Sequence, residues 1–153
     1  MPLVQIVYHS RNRLAPASGR PQLDMLRAIL ASSRRNNAET GLTGFLLFDR
    51  TWFFQVVEGE RRAVLATYER IGKDPRHADV TLLALRDIPA RTFPSWSMGA
   101  AMLNLDQREI YLRHGISGAL DPTQVTASTV VALAVDLQGQ EIEQQRSLQR
   151  LAG

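Results

Sequence analysis

The chain has 153 residues, 44% of them hydrophobic, and its 18 Lys and Arg against 15 Asp and Glu give a formal net charge of +3. This length suits one hydrophobic core with an appended segment and is too short for two full domains. The chain contains no cysteine, which excludes disulfide scaffolds, thiolate metal sites and thiol nucleophiles.

Histidine spacing, basic residues and hydropathy exclude further classes. His9, His77 and His114 lie far apart and form no HExxH-like pair, so we predict no metal site. The basic residues are scattered, without the interleaved aromatic side chains of a base-stacking platform, so nucleic acid is not favoured as a partner. No apolar stretch approaches the roughly 18 to 20 residues that cross a bilayer, and the N-terminus lacks a signal-peptide pattern. We therefore expect a soluble, cytoplasmic protein without a membrane partner.

The first predicted element is a strand over residues 3–8, followed by a surface loop to residue 22 that is rich in turn-favouring residues. Apolar side chains at helical spacing then predict a helix that ends near Asn37. A glycine-rich turn over residues 41–44 leads into a second strand, and the short connection 49–51 predicts an antiparallel hairpin with a third strand. The pattern continues with a second helix to residues 74–75 and strands at 80–85 and 98–103.

This βαββαββ order predicts an α+β, ferredoxin-like sheet with both helices on one face. The residues that follow are predicted to cover the other face, as a short helix over 106–114 and a longer helix that begins at Asp121. Asp121 suits the N-cap, and Gln124 suits the capping-box position. From Gln138 onward the chain is polar, which predicts a frayed extension. We accordingly divide the chain into a domain of residues 1–103 and a helical extension of residues 104–153.

A glutamine in an apolar strand is the most informative polar residue. Gln55 stands between Phe54 and Val56, where an unpaired buried amide would cost roughly 1 to 3 kcal/mol. The backbone, an ordered water, another side chain or a bound ligand can satisfy it. Two adjacent amides, Asn36 and Asn37, end the first helix and Tyr8 ends the first strand, so a polar side chain or a ligand is favoured.

Several separated motifs follow one another over residues 3 to about 103: Tyr8, Arg35-Asn36-Asn37, Gly41-Leu42-Thr43-Gly44, Phe54-Gln55-Val56-Val57-Glu58-Gly59, Asp74-Pro75-Arg76-His77 and Trp96-Ser97-Met98. In this order they resemble the BLUF family of blue-light photoreceptors, which bind FAD. The resemblance implies a non-covalently bound FAD, with FMN or riboflavin as possible substitutes, whose ring lies between the two helices. The short helical tail resembles the stand-alone type of the family.

The resemblance also implies cofactor contacts. A carboxamide can match the alternating acceptors and donor of the flavin uracil edge, so Asn37 is predicted to bind that edge and Asn36 the neighbouring carbonyl or the ribityl chain. Ile29 and Ile71 would clamp the ring, although both are equally explained as helix-core residues. The remaining predicted contacts, for each of which a plain surface role stays open, are Asp74, Arg76 and His77 on the other side of the flavin and Arg70 toward ribityl or phosphate.

The mechanism that the family implies is one hydrogen-bonded chain of Tyr8, Gln55 and flavin, which serves as the photoactive relay. The amide of Gln55 would rearrange by rotation or tautomerisation, without a covalent adduct, as suits a chain that lacks cysteine. Trp96 and Met98 would relay the signal by exchanging inward and outward positions; alternatively, they are simple core filler. Two features depart from the family pattern, His9 after the tyrosine and Arg50-Thr51 in the hairpin.

The resulting prediction is a photosensory signalling protein, not an enzyme, that forms a homo-oligomer and acts on a downstream protein of unknown identity. One alternative is a small acylphosphatase-like enzyme, which would need a glycine-rich phosphate loop after the first strand. The loop of residues 9–22 has one glycine. Another alternative is a light-insensitive ligand-binding relative, or a nucleic-acid regulator that uses the same sheet.

Overall fold

The structure, a computed structural model, describes residues 2–13, 22–49, 51–94, 99–102, 108–117 and 120–152. Along these residues the elements follow one another as β1 (Leu3–Asn12), α1 (Gln22–Thr40), β2 (Thr43–Phe48), β3 (Trp52–Glu60), α2 (Arg61–Gly72), β4 (His77–Ile88), β5 (Gly99–Met102), α3 (Arg108–Arg113) and α4 (Ala127–Ala152). The predicted βαββαββ order, with helices after it, is confirmed.

The strands form one sheet in the order β4-β1-β3-β2-β5. β1 is antiparallel to both β3 and β4, β2 is antiparallel to β3, and β5 runs parallel to β2. Asp49 closes the β2–β3 hairpin, because its Oδ1 accepts the backbone N–H groups of Thr51 at 2.8 Å and Trp52 at 2.7 Å. Aspartate favours such turns because its short side chain reaches backbone groups two or three residues onward. The predicted hairpin and ferredoxin-like sheet are confirmed.

One face of the sheet carries α1 and α2, as predicted. Side chains alternate between the two faces along a strand, so β1 directs Val4, Ile6 and Tyr8 to this face, where they pack near Val64 of α2. α1 contributes Ile29 and Leu30, which pack against side chains of β2 and β3, namely Leu46, Phe48 and Phe53. α1 thus lies over β2 and β3, and α2 lies over β1, β3 and β4 on the same face.

The opposite face carries the C-terminal helices, again as predicted. Val7 and Val56 of the sheet form a buried cluster there with Leu133 and Leu137 of α4 and Tyr111 of α3. α3 and α4 are also joined by His114, whose Nε2 lies 2.6 Å from Asp136 Oδ2. Both faces of the sheet are therefore covered by helices. This explains why the central strands are apolar along almost their whole length and not only at alternate residues.

The first strand is longer than predicted. β1 continues to Asn12 instead of ending at Tyr8, because Arg11 pairs with Trp52 and the Asn12 N–H donates to Thr51 O at 2.7 Å. The prediction of a loop from His9 onward relied on turn-favouring residues and overlooked this long-range pairing. The rest of the predicted loop, residues 14–21, lies outside the described residues.

The last helix begins later than predicted. Asp121 Oδ1 accepts the Thr123 N–H at 2.9 Å, and the Gln124 N–H donates to Asp121 O at 3.0 Å, so these residues form a separate turn and not a helix N-terminus. Thr126 caps α4 instead, since its Oγ1 accepts the Thr129 N–H at 3.2 Å. α4 then runs through Gly139 to Ala152, so the frayed extension that the polar sequence predicts from Gln138 onward is a continuous helix.

Candidate functional site

A cavity of about 220 Å³ opens between α1 and α2 above the sheet. Every cofactor contact predicted from the sequence lines it: Ile29, Asn36, Asn37, Gln55, Arg70, Ile71, Asp74, Arg76 and His77. Sequence reasoning missed the other lining residues: Ser32, Ser33, Leu46, Val57 and Thr67. Helical spacing could have identified three of them, because Ser32, Ser33 and Thr67 lie one turn from predicted contacts on the same helix.

Tyr8 and Gln55 meet beneath the cavity. They lie directly opposite each other on the antiparallel strands β1 and β3, and the Tyr8 hydroxyl donates a hydrogen bond to Gln55 Oε1. Tyr8 is 0% exposed and Gln55 is 6% exposed. Burial, with smaller contributions from Tyr68 and Asp74, raises the pKa of Tyr8 far above its ordinary value. The phenol therefore keeps its proton and orients the amide oxygen toward itself.

Two amides at the end of α1 border the same cavity. Asn37 is 3% exposed and Asn36 is half-buried. The helix end is fixed by the Leu42 N–H, which donates to Asn37 O at 2.9 Å, and by Gly41, whose φ of 72° suits the left-handed residue that ends a helix. Because the helix ends only after them, the side chains of Asn36 and Asn37 are presented to the cavity from a helix and not from a loop.

Asp74 and Arg76 form a compact ion pair after α2. Asp74 Oδ1 accepts the Arg76 backbone N–H at 2.9 Å, and Asp74 Oδ2 accepts from Arg76 Nη2 at 2.6 Å. Burial acts to raise the pKa of Asp74, but the hydrogen bonds and charge of Arg76, aided by His77, hold that pKa below its ordinary value. Asp74 is therefore a carboxylate, and Arg76 presents an oriented cation at the cavity wall.

His77 is a neutral hydrogen-bonding group. Its Nδ1 lies 2.7 Å from Ser10 Oγ, and its ring centroid lies 4.8 Å from that of Phe53. Burial lowers the pKa of His77 to about 4, with Asp74 opposing and Arg76 reinforcing the shift. Sequence reasoning missed Ser10 because residues 9–22 were predicted to be a loop.

The remaining predicted residues differ in burial. Ile29 is 4% exposed and Ile71 is half-buried, one on each helix beside the cavity. Arg70 is an exposed member of the lining, and its Nη2 donates to Thr67 Oγ1 at 3.2 Å. Trp96 and Met98, the predicted signal relay, lie outside the described residues. Their role stays a prediction.

The chemistry of the lining fits a flavin ring. The buried carboxamides of Asn37 and Gln55 offer both donors and acceptors, as an edge of alternating carbonyl and N–H groups requires. Ile29 and Ile71 supply apolar contact area for a planar ring. The volume is below the roughly 300 to 1,000 Å³ of pockets that enclose drug-sized ligands, so it suits the ring portion of a dinucleotide. In the described parts of the chain, no cluster of three or more His, Asp or Glu side chains is arranged to hold a metal ion.

Comparisons with known proteins agree with this chemistry. Residues 3–99 match the BLUF family, described as sensors of blue-light using FAD. A photoactivated adenylate cyclase subunit beta of Euglena gracilis is 40% identical over 77 residues, which are 50% of this chain and 9% of that protein. The blue light- and temperature-regulated antirepressor BluF of Escherichia coli (strain K12) is 33% identical over 88 residues, 58% of this chain and 22% of the relative. The chain thus spans less than a quarter of the length of either curated relative.

Solved structures with the same fold match most of the chain. The photo-activated state of BlsA superposes with a TM-score of 0.75 at 27% identity, covering 88% of this chain and 94% of that one. The dark state of BlrB, a BLUF protein, superposes with a TM-score of 0.65 at 34% identity, covering 86% and 96%. The family predicted from the sequence motifs is confirmed, and the acylphosphatase-like alternative is not favoured. The chain belongs to the BLUF family of FAD-binding blue-light photoreceptors.

Proposed function

We propose that this chain is a photosensor without enzymatic turnover, in which Tyr8 and Gln55 convert absorbed light into a hydrogen-bond rearrangement. The observation that carries the proposal is the buried Tyr8–Gln55 hydrogen bond at the floor of the cavity. A direct cross-strand pair leaves no room for water between the two groups, so a change at one must alter the other. The surrounding amides and isoleucines are proposed as the flavin contacts predicted above.

Flavin, when bound, would absorb blue light and would be a strong oxidant in its excited state. Tyr8 would donate one electron to that oxidant and its hydroxyl proton to Gln55 Oε1, the acceptor positioned for it. The electron and the proton would afterwards return to Tyr8, which would regain its hydroxyl group. Gln55 is left with its donor and acceptor ends rearranged, by rotation or tautomerisation, so the hydrogen bonds that it offers toward the cavity change.

Output is proposed to pass through β5 and the C-terminal helices to a separate protein. Two observations support this route. β5 pairs with β2, and Leu46 of β2 is the cross-strand neighbour of both Gln55 and Ala100. α4 packs on the opposite face of β1, β2 and β3. Residues 104–153 would thus serve as cap and output segment, with Trp96 and Met98 as the proposed relay between sheet and helices.

The partner and the assembly are proposed only by class. The cyclase relative is photoactivated according to its name, so a light-controlled effector is the expected type of partner, either separate or part of the same polypeptide. Exposed apolar side chains on the C-terminal helices, Leu112 at 45% and Val135 at 43%, support a homo-oligomer. In the described parts of the chain, no helix combines the length and apolar character that a membrane crossing requires.

Absorption spectroscopy tests the proposal. The purified protein should be yellow and, under blue light, should show a reversible shift of its flavin band to longer wavelength. Tyr8→Phe should retain flavin and abolish the shift, because the electron and proton donor is lost. Tyr111→Phe is the matched control, since it removes a buried phenolic hydroxyl on the opposite sheet face, and its shift should equal that of the wild type. A normal light response in Tyr8→Phe would remove Tyr8 from the mechanism.

A further inference from the structure

A polar row crosses the sheet on the face opposite the cavity. Gln5 of β1 lies directly between Arg86 of β4 and Glu58 of β3, and Glu58 in turn lies opposite Thr43 of β2. Arg86 Nε donates to Gln5 Oε1 at 2.9 Å, and Gln5 Nε2 donates to Glu58 Oε2 at 2.8 Å. Gln5 is 1% exposed and Glu58 is 0% exposed. The row therefore contains a carboxyl group that is fully removed from solvent.

The Glu58 side chain binds the backbone that leads from β4 to β5. Its Oε1 accepts the Thr92 N–H at 2.8 Å and the Phe93 N–H at 2.8 Å. Arg91 adds a second attachment, because its Nη1 donates to the backbone oxygen of Glu58 at 2.9 Å and to Thr43 Oγ1 at 3.0 Å. Burying a carboxyl group is costly unless its oxygens are satisfied, so this set of donors identifies a built anchor and not an accidental contact.

The anchor sets the position of Phe93. This side chain is 0% exposed, belongs to the core beneath α3 and α4, and lies 5.9 Å from Phe45 between ring centroids. Phe45 is also the residue of β2 that pairs with Gly99, the first residue of β5. Phe93 of the β4–β5 connection and the first residue of β5 thus both lie next to one residue of β2, Phe45.

Glu58 follows Gln55 by three residues on the same strand, about 10 Å further along, and points to the opposite face. We propose that Glu58 is a positioning residue for light signalling: its carboxyl group fixes residues 92–93 to β3, so that a rearrangement at Gln55 is passed to β5 instead of being absorbed by a loose connection. This inference rests on the proposed photosensor function and adds a residue to which the mechanism above gives no role.

Glu58→Gln is the direct test, because it keeps the size of the side chain but replaces one acceptor oxygen with a donor that opposes the N–H groups around it. In the dark, amide hydrogen exchange at Thr92 and Phe93 should accelerate by about tenfold or more, as loss of a hydrogen bond to a charged group predicts. The flavin red shift should keep its wild-type amplitude. The light-minus-dark difference in exchange at residues 99–102, expected in the wild type, should disappear.

Glu60→Gln is the matched control, since Glu60 is an exposed carboxyl at the end of the same strand, and it should keep both the exchange pattern and the red shift. Gln5→Met removes the side-chain donor to Glu58, together with the acceptor of Arg86 and a 3.5 Å contact with Thr92 Oγ1, but leaves the Glu58 carboxyl group in place. It should accelerate exchange at Thr92 less than Glu58→Gln does and reduce the light-induced difference at 99–102, which tests the anchor if Glu58→Gln does not fold.

Three results would overturn the inference. The first is a Glu58→Gln variant that retains the light-induced difference in amide exchange at residues 99–102. The second is a variant that loses the red shift together with that difference. The third is unchanged dark amide exchange at Thr92 and Phe93. A wild-type protein without any red shift would refute the photosensor function and this coupling role together. The dark exchange rates would still report separately whether the anchor exists.

Discussion

Two adjacent amides at the cavity differ in burial. Asn37 is nearly inaccessible while Asn36, its neighbour in sequence, is half-buried. The two amides therefore have different access to a bound ring, although they are chemically identical. A deeply buried amide that pairs with a ligand contributes more to binding than one that water can replace.

Asn37→Ala should weaken flavin retention by about 1 to 3 kcal/mol, the usual cost of a buried donor or acceptor left without its partner. Asn36→Ala should weaken retention less, because water can reach that position. The measurement is flavin occupancy after dialysis, followed by the dissociation constant on reconstitution. Equal losses in the two variants would contradict the assignment of Asn37 as the main contact of the ring edge.

His77 should make the folded state sensitive to acid. Burial lowers the pKa of His77 to about 4 from an ordinary 6.5, so the unfolded chain takes up the proton first as pH falls. Stability is then fully present above about pH 6.5 and is lost as pH falls toward 4. From pH 7.5 to pH 5 the free energy of unfolding should fall by about 2 kcal/mol through this group.

Urea unfolding of the wild type and of His77→Gln at the two pH values checks this prediction. Glutamine can keep a hydrogen bond to Ser10 but does not titrate. The variant should therefore lose most of the difference in the free energy of unfolding between pH 7.5 and pH 5. Some pH dependence should remain, because burial also lowers the pKa of His9. If the free energy of unfolding of His77→Gln fell between the two pH values as much as that of the wild type, the acid sensitivity would arise from other groups.

At the scale of elements, one turn joins the sheet to the C-terminal helices. Asp49 closes the β2–β3 hairpin with Oδ1, while its Oδ2 accepts the Leu120 N–H at 3.0 Å in the connection between α3 and α4. The Asn12 side chain donates to Asp49 O at 2.9 Å from the end of β1. Three separate segments of the chain thus meet at one aspartate.

Asp49→Ala should lower the free energy of unfolding by about 1.5 to 3 kcal/mol, the range for hydrogen bonds to a charged group. Amide exchange at Leu120 should accelerate, because its acceptor is removed. Asp87→Ala, at an exposed position of β4, is the control and should change stability by less than about 0.5 kcal/mol. Protection of Leu120 that survives Asp49→Ala would refute the proposed junction.

The same elements show what a sequence can predict. Strand and helix order followed from apolar periodicity, which the core enforces on each element separately. The extension of β1 to Asn12 depends on pairing with Trp52 and Thr51 about forty residues away, and no local pattern encodes it. The prediction for the N-terminus of α4 was wrong because Asp121 and Thr126 both have side chains that can cap a helix. The local sequence does not show that the helix begins after Thr126.

The residues that line the cavity could be predicted from the sequence more completely than the ends of the helices. Gln55 stood out by itself, as an amide between Phe54 and Val56. The other contacts, such as Asn37 and Arg76, have polar neighbours in the sequence and were predicted from the resemblance to the family. Ser10 did not stand out, because a serine within a predicted loop is unremarkable until the fold brings His77 within 2.7 Å of it. Glu58 lies within one of the family motifs, yet its contacts with residues 92–93 arise from the path of a connection that sequence periodicity does not describe.

At the scale of the whole molecule, the C-terminal helices share a core with the sheet. Leu133 is 0% exposed and packs in the same cluster as Val7 and Val56, whereas Val135 of the same helix is 43% exposed. If α4 belongs to the core of the sensor domain, a cavity at Leu133 must destabilise the sheet. An appended helix would instead detach and leave the sheet intact.

Leu133→Ala should lower the global free energy of unfolding by about 2 to 5 kcal/mol, as large-to-small substitutions in packed cores do. Val135→Ala, two residues along the same helix, should change it by less than about 0.5 kcal/mol. Far-ultraviolet circular dichroism and flavin absorbance, followed through one urea titration, should show coincident transitions in the wild type and in both variants, because helix and flavin site would unfold as one unit. A separate early loss of helix signal in Leu133→Ala, with flavin absorbance unchanged, would show that α4 is an independent output segment and not a structural part of the sensor.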